Sequence, residues 1–275
     1  MSHAMKMFRF EKTLFDKEVE GLSIQVVERG SQLELRFGNH IVQSARSLHA
    51  PDVLVLDYTR AMMAGLLFVP RPESALHFGL GGGSLPGFLH NHLQFLRQQV
   101  VEINRGVIDV AYRYFQLPVS NRLEVVHQDG TDFLRGQENL EPASRYDMIF
   151  LDAFHADGAE PDLNTGAIYG RLKSMLTSRG WLINNVWGSD KEKLNQVRRD
   201  MAAQIDNVSY VSVRSDSNVI FIASPSEAPP SLGLLRKRAS LLSRQFPLDF
   251  ENLAQKIRPL QTAAGAPAQA WRGGR

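Results

Sequence analysis

Cysteine is absent from the 275 residues. Disulfides, thiolate metal centres and cysteine nucleophiles are therefore excluded. No apolar run approaches the length needed to cross a bilayer, so no membrane partner is expected. The opening Met1-Ser2-His3-Ala4-Met5 carries no apolar signal core, and cytoplasm is the expected compartment. Net charge is only +2, from 31 Lys+Arg against 29 Asp+Glu, too little to argue for a nucleic-acid partner. The basic residues near the end (Arg236-Lys237-Arg238, Arg244, Lys256, Arg258) read as a solvated helix face. With 43% hydrophobic and 22% charged residues, the chain can build one large domain plus a small one.

Residues 22–46 alternate apolar and polar in three runs, separated by Arg29-Gly30-Ser31 and Gly38-Asn39. That pattern predicts a small antiparallel meander, forming an N-terminal domain over 6–57. A helix is predicted over 58–69, with Met62, Leu66 and Leu67 on its apolar face, ending before Pro70. From Glu73, strands at 75–80, 99–104, 123–128, 146–153 and 180–187 alternate with helices, for example 105–115 and 165–176. Such alternation means an α/β fold, a parallel sheet covered by helices on both faces. Runs at 208–213 and 218–223 read as a closing hairpin. Five parallel strands plus a terminal antiparallel hairpin is the Rossmann-like layout of S-adenosylmethionine-dependent methyltransferases, whereas NAD domains continue with parallel strands. This second domain is assigned to 58–258, helical from about 231, and the Ala-, Gly- and Pro-rich 259–275 to a disordered tail.

The most informative stretch is Ala75-Leu76-His77-Phe78-Gly79-Leu80-Gly81-Gly82-Gly83-Ser84-Leu85-Pro86-Gly87: a strand, a glycine turn, the start of a helix. Nineteen residues after Gly83 stands Glu102, at the end of the next strand. A turn that lets a ligand approach the backbone, followed by a carboxylate on the neighbouring strand, suits a ribose. The glycines do not fit G-x-G-x-x-G, and no Gly-Lys-Ser/Thr follows, so neither a dinucleotide nor a Walker site is indicated. Gln128-Asp129-Gly130 closes the third strand; its carboxylate can accept from an adenine amino group, or simply cap a helix after an Asp-Gly turn. Tyr146-Asp147-Met148-Ile149-Phe150-Leu151-Asp152 ends the fourth strand with an acid. Asp152 sits either at the reacting end of a bound nucleoside or at the cap of the next helix.

Other candidates carry less. His90 and His92 point about 200° apart on a helix and do not pair as metal ligands, so no metal is expected. His77 reads as a core histidine. Trp181 and Trp187 flank the fifth strand as packing residues, with Trp187 also placed to wall an acceptor pocket. No Gly-x-Ser-x-Gly elbow marks a serine nucleophile.

Over about residues 20–225 the chain resembles the spermidine/spermine synthase family of aminopropyltransferases. The matching pieces are Ile41-Val42-Gln43-Ser44, Tyr58, Gly81-Gly82-Gly83, Val101-Glu102-Ile103 with Val107-Ile108, Gln128-Asp129-Gly130, and Tyr146-Asp147 with Leu151-Asp152. The resemblance implies decarboxylated S-adenosylmethionine as co-substrate and a small-molecule amine as acceptor. It implies a nucleoside site lined by Gln43, Gly81, Gly82, Gly83, Ser84, Glu102, Asp129 and Gly130. Tyr58 and Asp152 are implied as the catalytic pair facing the amine, in a homodimer or larger homo-oligomer. Three positions depart from the family. Ser84 stands where the family has an Asp that grips the donor's ammonium. His155 stands where a second Asp anchors the far end of a diamine, which leaves His155 with Asp157, or Glu160 or Asp162, as the candidates for substrate binding there. Thr59-Arg60 places a cation beside Tyr58. The nucleoside half of the site is kept and the polyamine half is eroded. Two alternatives follow: a methyltransferase using intact S-adenosylmethionine, or a nucleoside-binding homologue without turnover.

Overall fold

The computed structural model describes residues 11–38, 41–137, 145–153, 163–213, 215 and 217–260. They form two sheets. The smaller contains β1 (Glu11–Val19), β2 (Leu22–Arg29), β3 (Gln32–Phe37) and β4 (Ile41–Ser47), antiparallel and in chain order. The alternation in the sequence predicts three of these strands; β1 is an addition. It is an edge strand, largely exposed along its length, so it lacks the apolar alternation that marks a half-buried one. Glu20 and Gly21 join it to β2 with φ of 51° and 77°, as a tight hairpin with two left-handed central residues requires.

The larger sheet is built around β5 (Ser74–Phe78). To one side lie β6 (Arg97–Glu102) and β7 (Leu123–His127); to the other lie β8 (Tyr146–Leu151) and β9 (Leu176–Trp187), all parallel. Beyond β9 come β11 (Asn218–Ser224), β10 (Asn207–Ser212) and β12 (Arg258–Pro259), each antiparallel to its neighbour. The order is β12-β10-β11-β9-β8-β5-β6-β7. Five parallel strands and an antiparallel hairpin agree with the fold class read from sequence. The tail assigned from 259 needs correction: Pro259 pairs with Ser209, and the Leu260 N–H donates to the Val208 carbonyl at 2.8 Å. Residues 261–275 lie outside the described residues.

Helices cover both faces. The segment 58–69 is helical as predicted but changes character: α1 (Asp57–Met62) tightens into a 3-10 turn over Met63–Leu67. Gly65 lies so close to the sheet that a β-carbon there would sit 2.7 Å from Ile183 Cγ1. Along β8, Met148 and Phe150 face the core shared with the 3-10 turn, α7 (Leu232–Gln245) and α8 (Phe250–Lys256). Ile149 and Leu151 face the opposite core, shared with α5 (Gly166–Met175) and α6 (Lys191–Gln204). Burial on both faces explains the nearly unbroken apolar run of that strand. The small sheet lays Ile24, Val26 and Leu35 onto Val107, Val110 and Ala111 of α3 (Arg105–Arg113).

His77 is a core histidine, stacked on Phe150 at 4.7 Å and 3.0 Å from the Gln98 Oε1. Burial depresses its titration to about 4, so the ring is neutral. His90 and His92, on α2 (Ser84–His92), diverge: the first meets Arg122, the second packs by Phe88 and Phe246. Among the described residues no helix is long and apolar enough to cross a membrane.

Candidate active site

Because β5 has β6 on one side and β8 on the other, the connections from its carboxyl end diverge there. In open α/β sheets the ligand crevice forms at that divergence. A cavity of about 510 Å³ opens there. Gln43, Tyr58, Gly81, Ser84, Glu102, Asp129, Gly130 and Asp152 all line it, although they span over a hundred positions of the chain.

The glycine turn is shaped by three left-handed residues, Gly79, Gly81 and Gly83, with φ of 92°, 53° and 74°. Only part of the turn faces the cavity. Gly82 and Gly83 are buried behind it and line a second, smaller cavity of about 200 Å³. A β-carbon on Gly82 would lie 2.8 Å from Phe115, and one on Gly83 2.6 Å from Leu117. These two glycines permit close packing rather than ligand approach. From the small sheet, Ser44 Oγ accepts the Gly82 N–H at 2.8 Å, tying the turn to β4.

Glu102 is 8% exposed, and backbone amides hold it. Its Oε2 accepts the Leu80 N–H at 2.9 Å and its Oε1 accepts the Asn104 N–H at 3.0 Å. Burial pushes its titration up, opposed by these amides, that of Ile103, and His127. Of the roughly four lone-pair sites of a carboxylate, these amides leave about one to accept a ribose hydroxyl. Asn104 caps α3 through the Gly106 and Val107 amides, and its Nδ2 donates to the Val19 carbonyl at 2.8 Å. The β1–β2 tip is thereby drawn over the cavity, where Glu20, Gly21 and Leu22 form part of the wall.

Asp129 does what the cap reading foresees and also lines the cavity. It caps α4 (Gly130–Gly136), and its Oδ1 takes the Thr131 hydroxyl together with the Thr131 and Asp132 amides. Burial pushes its titration up, but the bonds from Thr131 and Asp132 outweigh this and hold it below the ordinary range. All the capping bonds fall on one oxygen. At Gly130 a side chain would be tight, since a β-carbon would sit 3.1 Å from Leu163 and 3.2 Å from Phe78.

Asp152 follows β8 directly, and its N–H donates to the Phe78 carbonyl at 3.0 Å. Its Oδ1 accepts from Asn185 Nδ2 at 2.7 Å, and the Tyr58 hydroxyl also bonds the carboxylate. Burial raises its titration to about 7, with the Asn185 and Tyr58 bonds working against the rise. The same Tyr58 oxygen lies 3.1 Å from the Gln43 carbonyl. A carboxyl poised near neutrality can take up or release a proton at physiological pH.

The remaining expectations fare differently. Trp187 is not in the cavity wall; it ends β9, opposite Asn218 of β11. His155 and Asp157 lie outside the described residues. Arg60 does not put a cation into the pocket: its guanidinium bonds the Leu54 carbonyl at 2.9 Å and pairs with Asp57. Sequence reasoning missed Ser44 as the clamp on the glycine turn and Asn185 as the partner of Asp152. Ser44 closes the quoted run Ile41-Val42-Gln43-Ser44, so it was at least in view; a lone asparagine inside an apolar strand gave no comparable signal.

Known proteins match this arrangement. The spermine/spermidine synthase domain model matches residues 57–220. The chain belongs to that family. A polyamine aminopropyltransferase of Neisseria meningitidis serogroup A is 31% identical over 235 residues, covering 84% of this chain and 87% of the relative. A solved spermidine synthase bound to the transition-state analogue AdoDATO superposes with a TM-score of 0.72 at 14% identity, over 89% of this chain and 84% of that one. At that identity the likeness concerns the fold. Human methyltransferase-like protein 13, solved in complex with SAH, gives a TM-score of 0.64 at 25% identity, over 77% of this chain and 98% of that one. The chain thus also shares its fold with a methyltransferase-like protein.

Proposed function

We propose that this family member transfers an aminopropyl group from decarboxylated S-adenosylmethionine to a small amine. Glu102 receives a ribose hydroxyl, Asp129 and Gly130 border the adenine, and Gly81 and Ser84 line the path of the aminopropyl arm. Tyr58 and Asp152 face the acceptor nitrogen. The amine lone pair attacks the carbon next to the sulfonium; the carbon–sulfur bond breaks with its electrons on sulfur, leaving methylthioadenosine, and the amine proton passes to Asp152. A sulfonium leaves readily, so the acceleration comes from alignment and from removing that proton. A homo-oligomer in the cytoplasm belongs to the same reading, by resemblance to the family.

The observation that carries it is Asp152: a carboxyl raised to about 7, bonded by Asn185 and Tyr58, in one cavity with Glu102. The test is turnover with each donor and a panel of amines, identifying the nucleoside released. Methylthioadenosine with the decarboxylated donor supports the proposal. Binding of neither donor by calorimetry overturns it.

One feature favours a second reading. At the start of α2 the cavity presents the Ser84 hydroxyl and no carboxylate. That end can admit the carboxylate of intact S-adenosylmethionine, and the likeness to a protein solved with SAH is in keeping. Release of S-adenosylhomocysteine from the intact donor would establish methyl transfer instead.

A further inference from the structure

Asp152 is not held by Asn185 alone. The Oδ1 of Asn185 accepts from Asn218 Nδ2 at 2.8 Å, so β11, β9 and the acid after β8 form one chain of side-chain bonds. Asn185 and Asn218 are 4% and 8% exposed, which leaves water little access to compete. The start of β11 is itself fixed, because the Gly188 N–H donates to the Ser217 carbonyl at 2.7 Å and the Val213 N–H to that of Asn218 at 2.8 Å. The same β10–β11 connection reaches the other partner of Asp152: the Ser215 hydroxyl bonds the carboxylate of Asp57, the residue before Tyr58.

The direction of these bonds is dictated by chemistry. An ionised carboxylate only accepts, so Asn185 must turn its N–H₂ toward Asp152. Its carbonyl oxygen then points to Asn218, which must answer with a donor. Had Asn185 turned the other way, its oxygen would face Asp152 and favour the protonated acid. We propose that Asn218 is a positioning residue for the reacting carboxyl: by occupying the Asn185 oxygen, it fixes which end of the Asn185 amide Asp152 meets. This deepens the function proposed above and rests on it for its catalytic meaning, but the bonding claim stands on geometry alone.

Among the described residues, few other groups face Asp152. From α1 it meets Tyr58, while Asp57 and Arg60 on that helix pair with each other and are further engaged by Ser215 and the Leu54 carbonyl. The end of β5 offers Gly79 and Leu80, which do not titrate. Glu102 and Asp129 share the cavity wall, each engaged by backbone amides. β9 contributes Asn185.

The test follows the titration of Asp152 in the full chain without substrate. Carboxyl ¹³C NMR is used, with the resonance assigned by its loss in Asp152→Asn. In Asn218→Ala the midpoint is expected to rise by about one pH unit, the scale of one lost charge-assisted bond. Asn218→Asp should raise it further, because the carboxylate it introduces can only accept and would turn the Asn185 oxygen toward Asp152. In an Asn185→Leu background, Asn218→Ala should add nothing, which a general packing defect would not reproduce. An unchanged midpoint in folded Asn218→Ala overturns the proposal, as does an equal added shift in the Asn185→Leu background. Should Asn218→Ala fail to fold, the near-isosteric Asn218→Asp decides: a midpoint at or below that of the parent protein overturns it. Because no substrate is present, failure of the aminopropyl reading leaves this result intact, and the reverse also holds.

Discussion

A β-carbon on Gly79 would lie 2.4 Å from the carbonyl oxygen of Asp152. Gly79 also has φ of 92°, where L side chains are strained. The end of β5 and the residue after β8 are thus pressed backbone to backbone. Gly79→Ala should destabilise the protein by about 2–4 kcal/mol and displace Asp152. Denaturant unfolding measures the first effect and turnover the second; a variant with both unchanged would contradict the contact.

The pH dependences of stability and activity should oppose each other. Asp152 titrates at about 7 in the folded chain against an ordinary value of 3.8. Between those values the folded state binds more protons than the unfolded one. Stability therefore falls as pH rises through that window, with a slope reaching about 1.4 kcal/mol per pH unit from this group. Asp152→Asn should flatten that slope in unfolding curves at pH 5, 6 and 7.5. Turnover should do the opposite, rising with pH along an acid limb centred near 7, because the base must be ionised to take a proton.

Glu102→Gln keeps the shape and removes the charge. One end of the new amide would turn a donor toward the Leu80 or Asn104 N–H, and the ribose would lose a charged acceptor. Nucleoside affinity should fall about 10- to 100-fold, as expected for loss of a charge-assisted bond of about 1.5–3 kcal/mol. Calorimetry with methylthioadenosine reads this directly, and unchanged affinity would remove Glu102 from the ribose site.

Ser44→Ala strands the buried Gly82 N–H. The cost should be about 1–3 kcal/mol in unfolding free energy. Donor affinity should weaken alongside, because the turn loses its tie to the small sheet. Equal loss of stability without change in affinity would show that the clamp holds the fold and not the site.

Much of this molecule was legible in the chain because short-range patterns encode it. The parallel strands showed as apolar runs between helices, and the glycine turn with Glu102 after it marked the crevice. Legibility failed where distant partners decide. β1 hides because an edge strand exposed on both faces carries no period. In the 3-10 turn after α1, Gly65 sits where a β-carbon would meet Ile183 and Met148, a closeness that local sequence does not announce. β12 is two residues long and exists only by pairing with Ser209 and Tyr210. Asn185 and Asn218 read as ordinary strand positions, because their meaning lies in the register of two antiparallel strands. Gly82 and Gly83 show the reverse: a motif that reads as one unit is divided in space, part toward the cavity and part toward Phe115 and Leu117.

The tip of the first hairpin completes a wall that also draws Phe37, Gln43 and Ser44 from its own sheet and most of its remaining residues from the larger sheet and its connections. Asn104 grips the Val19 carbonyl at 2.8 Å, and the Arg105 N–H reaches Glu20 Oε2 at 2.7 Å. These are a handful of polar contacts at the end of two strands. The mouth of the pocket can therefore be remodelled by changes at residues 20–22 while the parallel sheet and Asp152 stay untouched, giving selection for new guests a place to act away from the buried acid.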